Sequence, residues 1–428
     1  MQRKNPPSLD LRLRLHIRIL LLIAVLPILF NARPFDALAL SLLQAESGIE
    51  LENVGASVQF GEQIVFRATV KTSIPIREVS ILILDESQGI IHDEPLEVQA
   101  DGRTEFRYDI AENVLRPFTP VSWNYRFTLP DGSSTNSEVF SILYEDNRFN
   151  WQSVESGNLR INWYAGDSEF GQSAMKIVQS SVDSVSRLLP VDLEQPVEFY
   201  IYASIQDLRG TLLPGSQEWI AGHTDPSLGV VMVAIEPGPQ RDIILQQRIP
   251  HELMHIMLYR AVGNGYRNIP SWFSEGMPGL AEMVPNTGYN RVLEEAIARE
   301  DWIPISHLCG SFPADTDRAF LAYAESQSFA SYLHRTYGSP GLLNLARAYA
   351  NGADCEQGLE LAFGVPLSEL ELGWHESVLG PKAFFPALQN IIPYLGLLCL
   401  ILIIPLIGIL SAARGKGRSH GPETYIRK

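Results

Sequence analysis

Cysteine is scarce in this sequence: three residues in 428, at Cys309, Cys355 and Cys399. None lies near the N-terminus, so no thiolate from that end can cap a metal. There is no Gly-rich loop followed by Lys-Ser or Lys-Thr, and no repeat of fixed period. Those absences exclude the common phosphate-cradling loop and the solenoid architectures. Positive charge is also in deficit, with 33 Lys and Arg against 49 Asp and Glu, a net charge of -16. Both ends of the chain are basic, so the middle is more acidic than the total implies. An acidic body repels phosphate backbones, which removes nucleic acid as a partner. What remains is long enough for two or three folded units, each able to bury a core.

Two apolar segments set an expected location. Residues 19–30 are apolar and follow Arg3, Lys4, Arg12, Arg14 and Arg18. A basic stretch before about a dozen apolar residues reads as a secretory signal, cleaved after Ala39 or Ala45, or as an uncleaved signal anchor. Residues 388–412 are rich in Leu and Ile and precede Arg414, Lys416 and Arg418. Roughly 20 apolar residues match a bilayer core, and basic residues favour the cytoplasmic side. The expectation is a cell-membrane protein crossing once, its body extracytoplasmic and its basic tail (413–428) cytoplasmic. Cys309 and Cys355 then lie in an exported body, as a disulfide or as two buried thiols.

Between these segments the hydrophobic pattern changes once. Over residues 46–148 short runs such as Ile64-Val-Phe-Arg-Ala-Thr-Val-Lys and Trp123-Asn-Tyr-Arg-Phe-Thr-Leu alternate, separated by turns at Asp101-Gly102 and Asp131-Gly132. Such spacing predicts a β-sandwich of immunoglobulin type. From 150 to 380 strands at 159–164, 197–202 and 228–235 come first and helical patterns follow, the mark of an α+β domain.

Chemistry concentrates in that second region. Ile249-Pro-His-Glu-Leu-Met-His255 contains H-E-x-x-H. Residues four apart share a helix face, so His251 and His255 can reach one ion. Pro250 suits the first turn of that helix, where its missing N–H costs little. A catalytic zinc takes three protein ligands and keeps one position open. Glu275, in Trp272-Phe-Ser-Glu-Gly276, can supply the third.

The pair of blocks, H-E-x-x-H and Trp-Phe-x-Glu-Gly about twenty residues later, resembles the gluzincin metallopeptidases. It is similar above all to the peptidase MA-like domains, and more distantly to aminopeptidase N and thermolysin. The resemblance implies a thermolysin-like α+β catalytic domain holding one Zn2+ per chain on His251, His255 and Glu275. It implies Glu252 as general base and a peptide or protein substrate. By the same resemblance Tyr323 is either the hydroxyl that meets the oxyanion or a core tyrosine, with His223 a weaker candidate. Two details depart from the relatives. Thermolysin has an Asp four residues after its Glu ligand, where this chain has Gly279; Glu282 is either the replacement partner for His251 or a solvated surface residue. The aminopeptidases carry Gly-x-Met-Glu-Asn for the substrate's amine, where this chain has Gly222-His-Thr-Asp-Pro, and the strand 228–235 is expected at the sheet edge above the metal. The expected activity is therefore internal peptide cleavage by a membrane-anchored enzyme. An aminopeptidase and a non-catalytic zinc-containing adhesion protein are the other readings.

Overall fold

The computed structural model describes residues 48–85, 89–212 and 222–379, and towards the C-terminus 392, 394–399, 401 and 403. The chain forms two compact units, one ending at Asn150 and also holding Thr211, the other formed by the remainder.

The N-terminal unit contains β1 (Ile49–Gln59), β2 (Gln63–Thr72), β3 (Glu78–Asp85), β4 (Ile90–Leu96), β5 (Arg103–Asp109), β6 (Pro120–Thr128), β7 (Ser134–Asn136) and β8 (Phe140–Leu143). One sheet has the order β1-β2-β5; the other has β4-β3-β6-β7, with β8 also on β6, and every pairing is antiparallel. The two sheets share a core that includes Ile64, Phe66, Ile81, Ile83, Trp123 and Tyr125. An edge contact between Phe66 and Trp123, centroids 5.0 Å apart, joins the sheets. Alternating apolar positions drive this arrangement, because successive side chains on a strand point to opposite faces.

The second unit opens with β9 (Gln152–Ser156) and β10 (Leu159–Trp163), then α1 (Ser168–Leu188), β11 (Val197–Tyr202), α2 (Ile205–Arg209), β12 (Gly222–Asp225) and β13 (Val230–Ala234). The sheet order is β12-β13-β11-β10-β9, with parallel pairing in the middle and antiparallel strands at both edges. β11 is buried along most of its length, as expected of a central parallel strand. Asp167 starts α1 by accepting the Phe170 N–H at 3.0 Å. Phe170, Ala174, Met175, Val178 and Val185 then form its buried face. The strand expected at the edge, 228–235, lies one place inside; the edge is β12, which the sequence reading left unassigned. Its register, Gly222 to Val233 and Thr224 to Val231, closes the sheet on the side of the site.

Helices complete the unit: α3 (Arg241–Val262), α4 (Ser271–Ala281), α5 (Thr287–Arg299), α6 (Thr316–Ala350), α7 (Cys355–Phe363) and α8 (Leu367–Leu379). α6 breaks at Gly338, whose φ of 69° suits glycine. Cys309 and Cys355 form a disulfide with a Cα separation of 5.9 Å. It ties the segment before α6 to the start of α7. Replacing both cysteines by Ala is expected to lower the unfolding free energy by about 2–4 kcal/mol. A denaturant midpoint unchanged from the parent protein would refute that.

One expectation is corrected. Crossing a bilayer takes roughly 20 consecutive apolar helical residues. Among the described residues no helix is long and apolar enough to cross a membrane. The single-pass placement with an extracytoplasmic body and a cytoplasmic tail is therefore withdrawn, as is the transmembrane helix at 388–412 as a supported element. The leader at 1–45 and the tail at 413–428 lie outside the described residues, as does most of 388–412.

Candidate metal and active site

The H-E-x-x-H segment lies deep within α3, not in its first turn. The helix begins at Arg241 and Pro250 stands inside it. A proline there cannot donate to the carbonyl four residues back, which is that of Gln246. That carbonyl instead accepts the Met283 N–H at 3.0 Å. Met283 follows Glu282, so the proline's missing donor leaves an acceptor that anchors the chain just after α4.

α4 brings in the carboxylates. Trp272 and Phe273 are fully buried and turn the opposite face of α4 towards the site. Gly276 explains the glycine after Glu275: a Cβ there would stand 2.4 Å from the Ser326 carbonyl oxygen, so only glycine lets α4 lie against α6. Gly279 is also close-packed, with Gln327 3.0 Å from where its Cβ would be. A side chain at that position would have to push Gln327 aside. Glu282, one turn on, takes over: its Oε1 accepts from His251 Nδ1 at 3.2 Å. His255 Nδ1 lies 2.9 Å from the Tyr266 hydroxyl.

With both Nδ1 atoms engaged, the Nε2 atoms remain for other work. Donor atoms of His251, His255 and Glu275 all lie within 4.8 Å of one another, the one such group among the described residues. His251 Nε2 and Glu275 Oε2 are 3.8 Å apart. Two ligands of one tetrahedral zinc with bonds near 2.1 Å stand about 3.4 Å apart, so this donor set fits such an ion with small side-chain shifts. Burial opposes a charge on His251, yet the adjacent carboxylates of Glu275 and Glu282 prevail and push its pKa up to about 10. Burial holds the His255 pKa below the usual imidazole value. Glu275 is half-buried, which works against its charge, but the neighbouring imidazoles of His251 and His255 keep its pKa below the usual carboxylate range. Metal binding competes with such protons, because ligands must be deprotonated.

Glu252 is buried, and its Oε2 accepts the Thr224 hydroxyl at 2.7 Å from edge strand β12. Gly222 on the same strand is packed on it: a Cβ there would fall 2.2 Å from Glu252 Oε1. The cleft around these groups has a volume of about 630 Å³. His223, Arg248, Tyr266, Tyr289 and Tyr323 line it. Burial raises the pKa of Tyr323 well above the ordinary tyrosine value, as it does those of Tyr266 and Tyr289, so all three hydroxyls stay protonated. His251, Glu252, His255, Glu275 and Tyr323, with the further candidates His223 and Glu282, thus meet in one cleft. Tyr266 and Thr224 were missed. Nothing in their neighbouring sequence marks them, since the contacts they make depend on the fold.

An α+β domain whose H-E-x-x-H helix meets a glutamate from the next helix has the architecture of a metallopeptidase. Residues 178–380 match the model of the Peptidase MA superfamily, which supports a peptidase of that kind over that segment. No curated protein matches the sequence. Among solved structures, an aminopeptidase N family protein from Idiomarina loihiensis is 8% identical, covering 78% of this chain and 71% of its own at a TM-score of 0.31. An M1 zinc metallopeptidase from Deinococcus radiodurans is 11% identical, covering 76% and 93% at a TM-score of 0.29. A carbohydrate-binding module family 56 β-1,3-glucan binding domain is 15% identical, covering 22% and 98% at a TM-score of 0.16. These TM-scores are low, and the assignment rests on the family model.

Proposed function

We propose that this peptidase is a zinc-dependent endopeptidase in which His251, His255 and Glu275 hold one ion and Glu252 is the general base. The observation that carries the reading is the convergence of those three donors on one point, two of them on the helix that carries Glu252 and the third on α4. Zinc, when bound, supplies Lewis acidity that activates water and polarises a carbonyl. The protein's own residues do the rest. Glu252, held by Thr224, takes a proton from the attacking water and delivers it to the leaving amine. Tyr323 donates its hydroxyl hydrogen to the developing oxyanion. Glu282 and Tyr266 fix the two imidazoles with Nδ1 as donor, leaving each Nε2 for the metal. Edge strand β12, which pairs only with β13 among the described residues, offers its outer side to an extended peptide.

Internal cleavage is favoured over removal of N-terminal residues. The carboxylate on β12, Asp225, is buried and turned into a turn, accepting from Ser227 and Leu228. It is not among the residues lining the cleft, so it offers no anchor for a free amine. The N-terminal unit we read as an immunoglobulin-like spacer or recruiting module, on the strength of its two antiparallel sheets around one core.

The test is zinc content of the purified chain, with hydrolysis of matched peptides whose N-termini are blocked or free. One zinc per chain and equal cleavage of blocked peptides are expected, with activity lost to a chelator and restored by zinc. Absence of zinc would sink the donor assignment, and cleavage of free-amine peptides alone would sink the endopeptidase reading. Tyr323→Phe is expected to lower kcat about a hundredfold with zinc retained; an unchanged kcat makes Tyr323 a core residue. Glu282→Ala should weaken zinc binding about 10- to 100-fold, read by chelator competition. Wild-type affinity in that variant would leave Glu282 no part in orienting His251.

A further inference from the structure

The cleft contains a cation that the proposed chemistry does not use. Arg248 is the one Lys or Arg among the described residues lining it. It lies on α3 one turn before Glu252, so its Cα is about 6 Å from that of the proposed base. One guanidinium nitrogen, Nη1, donates to the Ala234 carbonyl at the end of β13. Arginine carries five donors, and one carbonyl leaves most of them unused. Among the described residues Arg248 makes no ion pair, while the acids of the cleft are engaged elsewhere: Glu252 with Thr224, Glu282 with His251, and Glu275 beside His251. Burial pulls its pKa below the ordinary guanidinium value, with Glu252 and Glu236 the nearby charges that counter this. A half-buried guanidinium without a paired carboxylate is poorly compensated, and its planar fork matches a carboxylate.

We propose that Arg248 is the specificity residue of this cleft and binds a substrate carboxylate within one or two residues of the cleaved bond. The inference rests on the peptidase reading of the site. Its spacing follows from geometry: one helical turn separates Arg248 from Glu252, and an extended peptide advances about 3.3 Å per residue. The carboxylate comes from an Asp or Glu side chain or from the substrate's own C-terminus. An arginine serving only to pin β13 to α3 would not discriminate between a carboxylate and its amide.

Binding is measured by calorimetry on zinc-loaded Glu252→Gln protein, so that turnover plays no part. Three blocked heptapeptides are identical except for Glu, Gln or Lys at the central residue. A fourth carries Gln, ending in a free carboxylate two residues later. The Glu peptide is expected to bind about tenfold or more tighter than the Gln peptide, with Lys weakest. Tight binding of the fourth peptide alone assigns the carboxylate to the chain terminus. Arg248→Gln in the same background should bring the Glu-to-Gln ratio to about one, and Arg248→Lys should restore part of it. Equal binding of all four peptides by protein that retains Arg248 overturns the proposal, even if Arg248→Gln fails to fold. So does the absence of measurable binding by any of them. Hydrolysis of the Gln peptide by the unmutated protein tests the peptidase reading separately.

Discussion

Glu252→Gln is expected to lower kcat for peptide hydrolysis by about a thousandfold to ten-thousandfold while leaving one zinc per chain. The substitution keeps side-chain size, and an amide oxygen can still accept the Thr224 hydroxyl that now binds Oε2. What it removes is the capacity to take a proton, and a positioned base is worth on the order of 10² to 10⁴ in rate. Glu252 donates nothing to the metal set of His251, His255 and Glu275, so metal content should not change. Zinc analysis and steady-state kinetics on the same preparation separate the two effects. Activity within tenfold of the parent protein would remove Glu252 as base and point to another proton acceptor in the cleft.

His255→Ala should remove both metal and activity. Its imidazole is one of three donors, and its Nδ1 is tied to Tyr266 inside the unit. Losing an outer partner costs about 10- to 100-fold in metal affinity, and losing a direct ligand costs more. Dialysed protein should hold no zinc and hydrolyse nothing above background, with its far-ultraviolet circular dichroism intact. Full zinc occupancy in that variant would show that the ion sits elsewhere.

How far such outcomes could be foreseen from sequence differs from residue to residue. His251, Glu252 and His255 are close in the chain, and helical periodicity alone puts both imidazoles on one face. Glu275 was legible because it sits in a short block at a regular distance. The strands at 159–163 and 197–202 were legible from apolar runs of the right length. The extent of α3 was not. Pro250 reads locally as a helix start, whereas the tertiary structure tolerates it inside, with the Met283 N–H satisfying the carbonyl it cannot reach. The sheet edge was misplaced for a similar reason. β12 is four residues long and has no apolar alternation of its own, so only pairing with β13 makes it a strand.

The two open readings at Glu282 and at the cysteines were closed by packing. Glu282 reaches His251 across the site, while Gly279, packed against Gln327, carries no side chain to do so. Cys309 and Cys355 pair because the fold brings their Cα atoms to 5.9 Å across 46 residues of chain. The membrane placement rested on hydropathy and flanking basic charge, and was overturned by the absence, among the described residues, of a helix long and apolar enough to cross.

By itself the sequence determined the candidate donor types, their spacing along two helices, the glutamate between the histidines and the strand-then-helix order of the unit. These are local matters of periodicity and side-chain chemistry, which the chain carries wherever it goes. Tertiary structure alone decided which carboxylate orients His251, that Tyr266 meets His255, that Thr224 and Gly222 hold Glu252, and that Arg248 faces the cleft. Each of those depends on segments far apart in sequence approaching within a few ångströms, and close packing fixes such approaches only once the whole core is assembled.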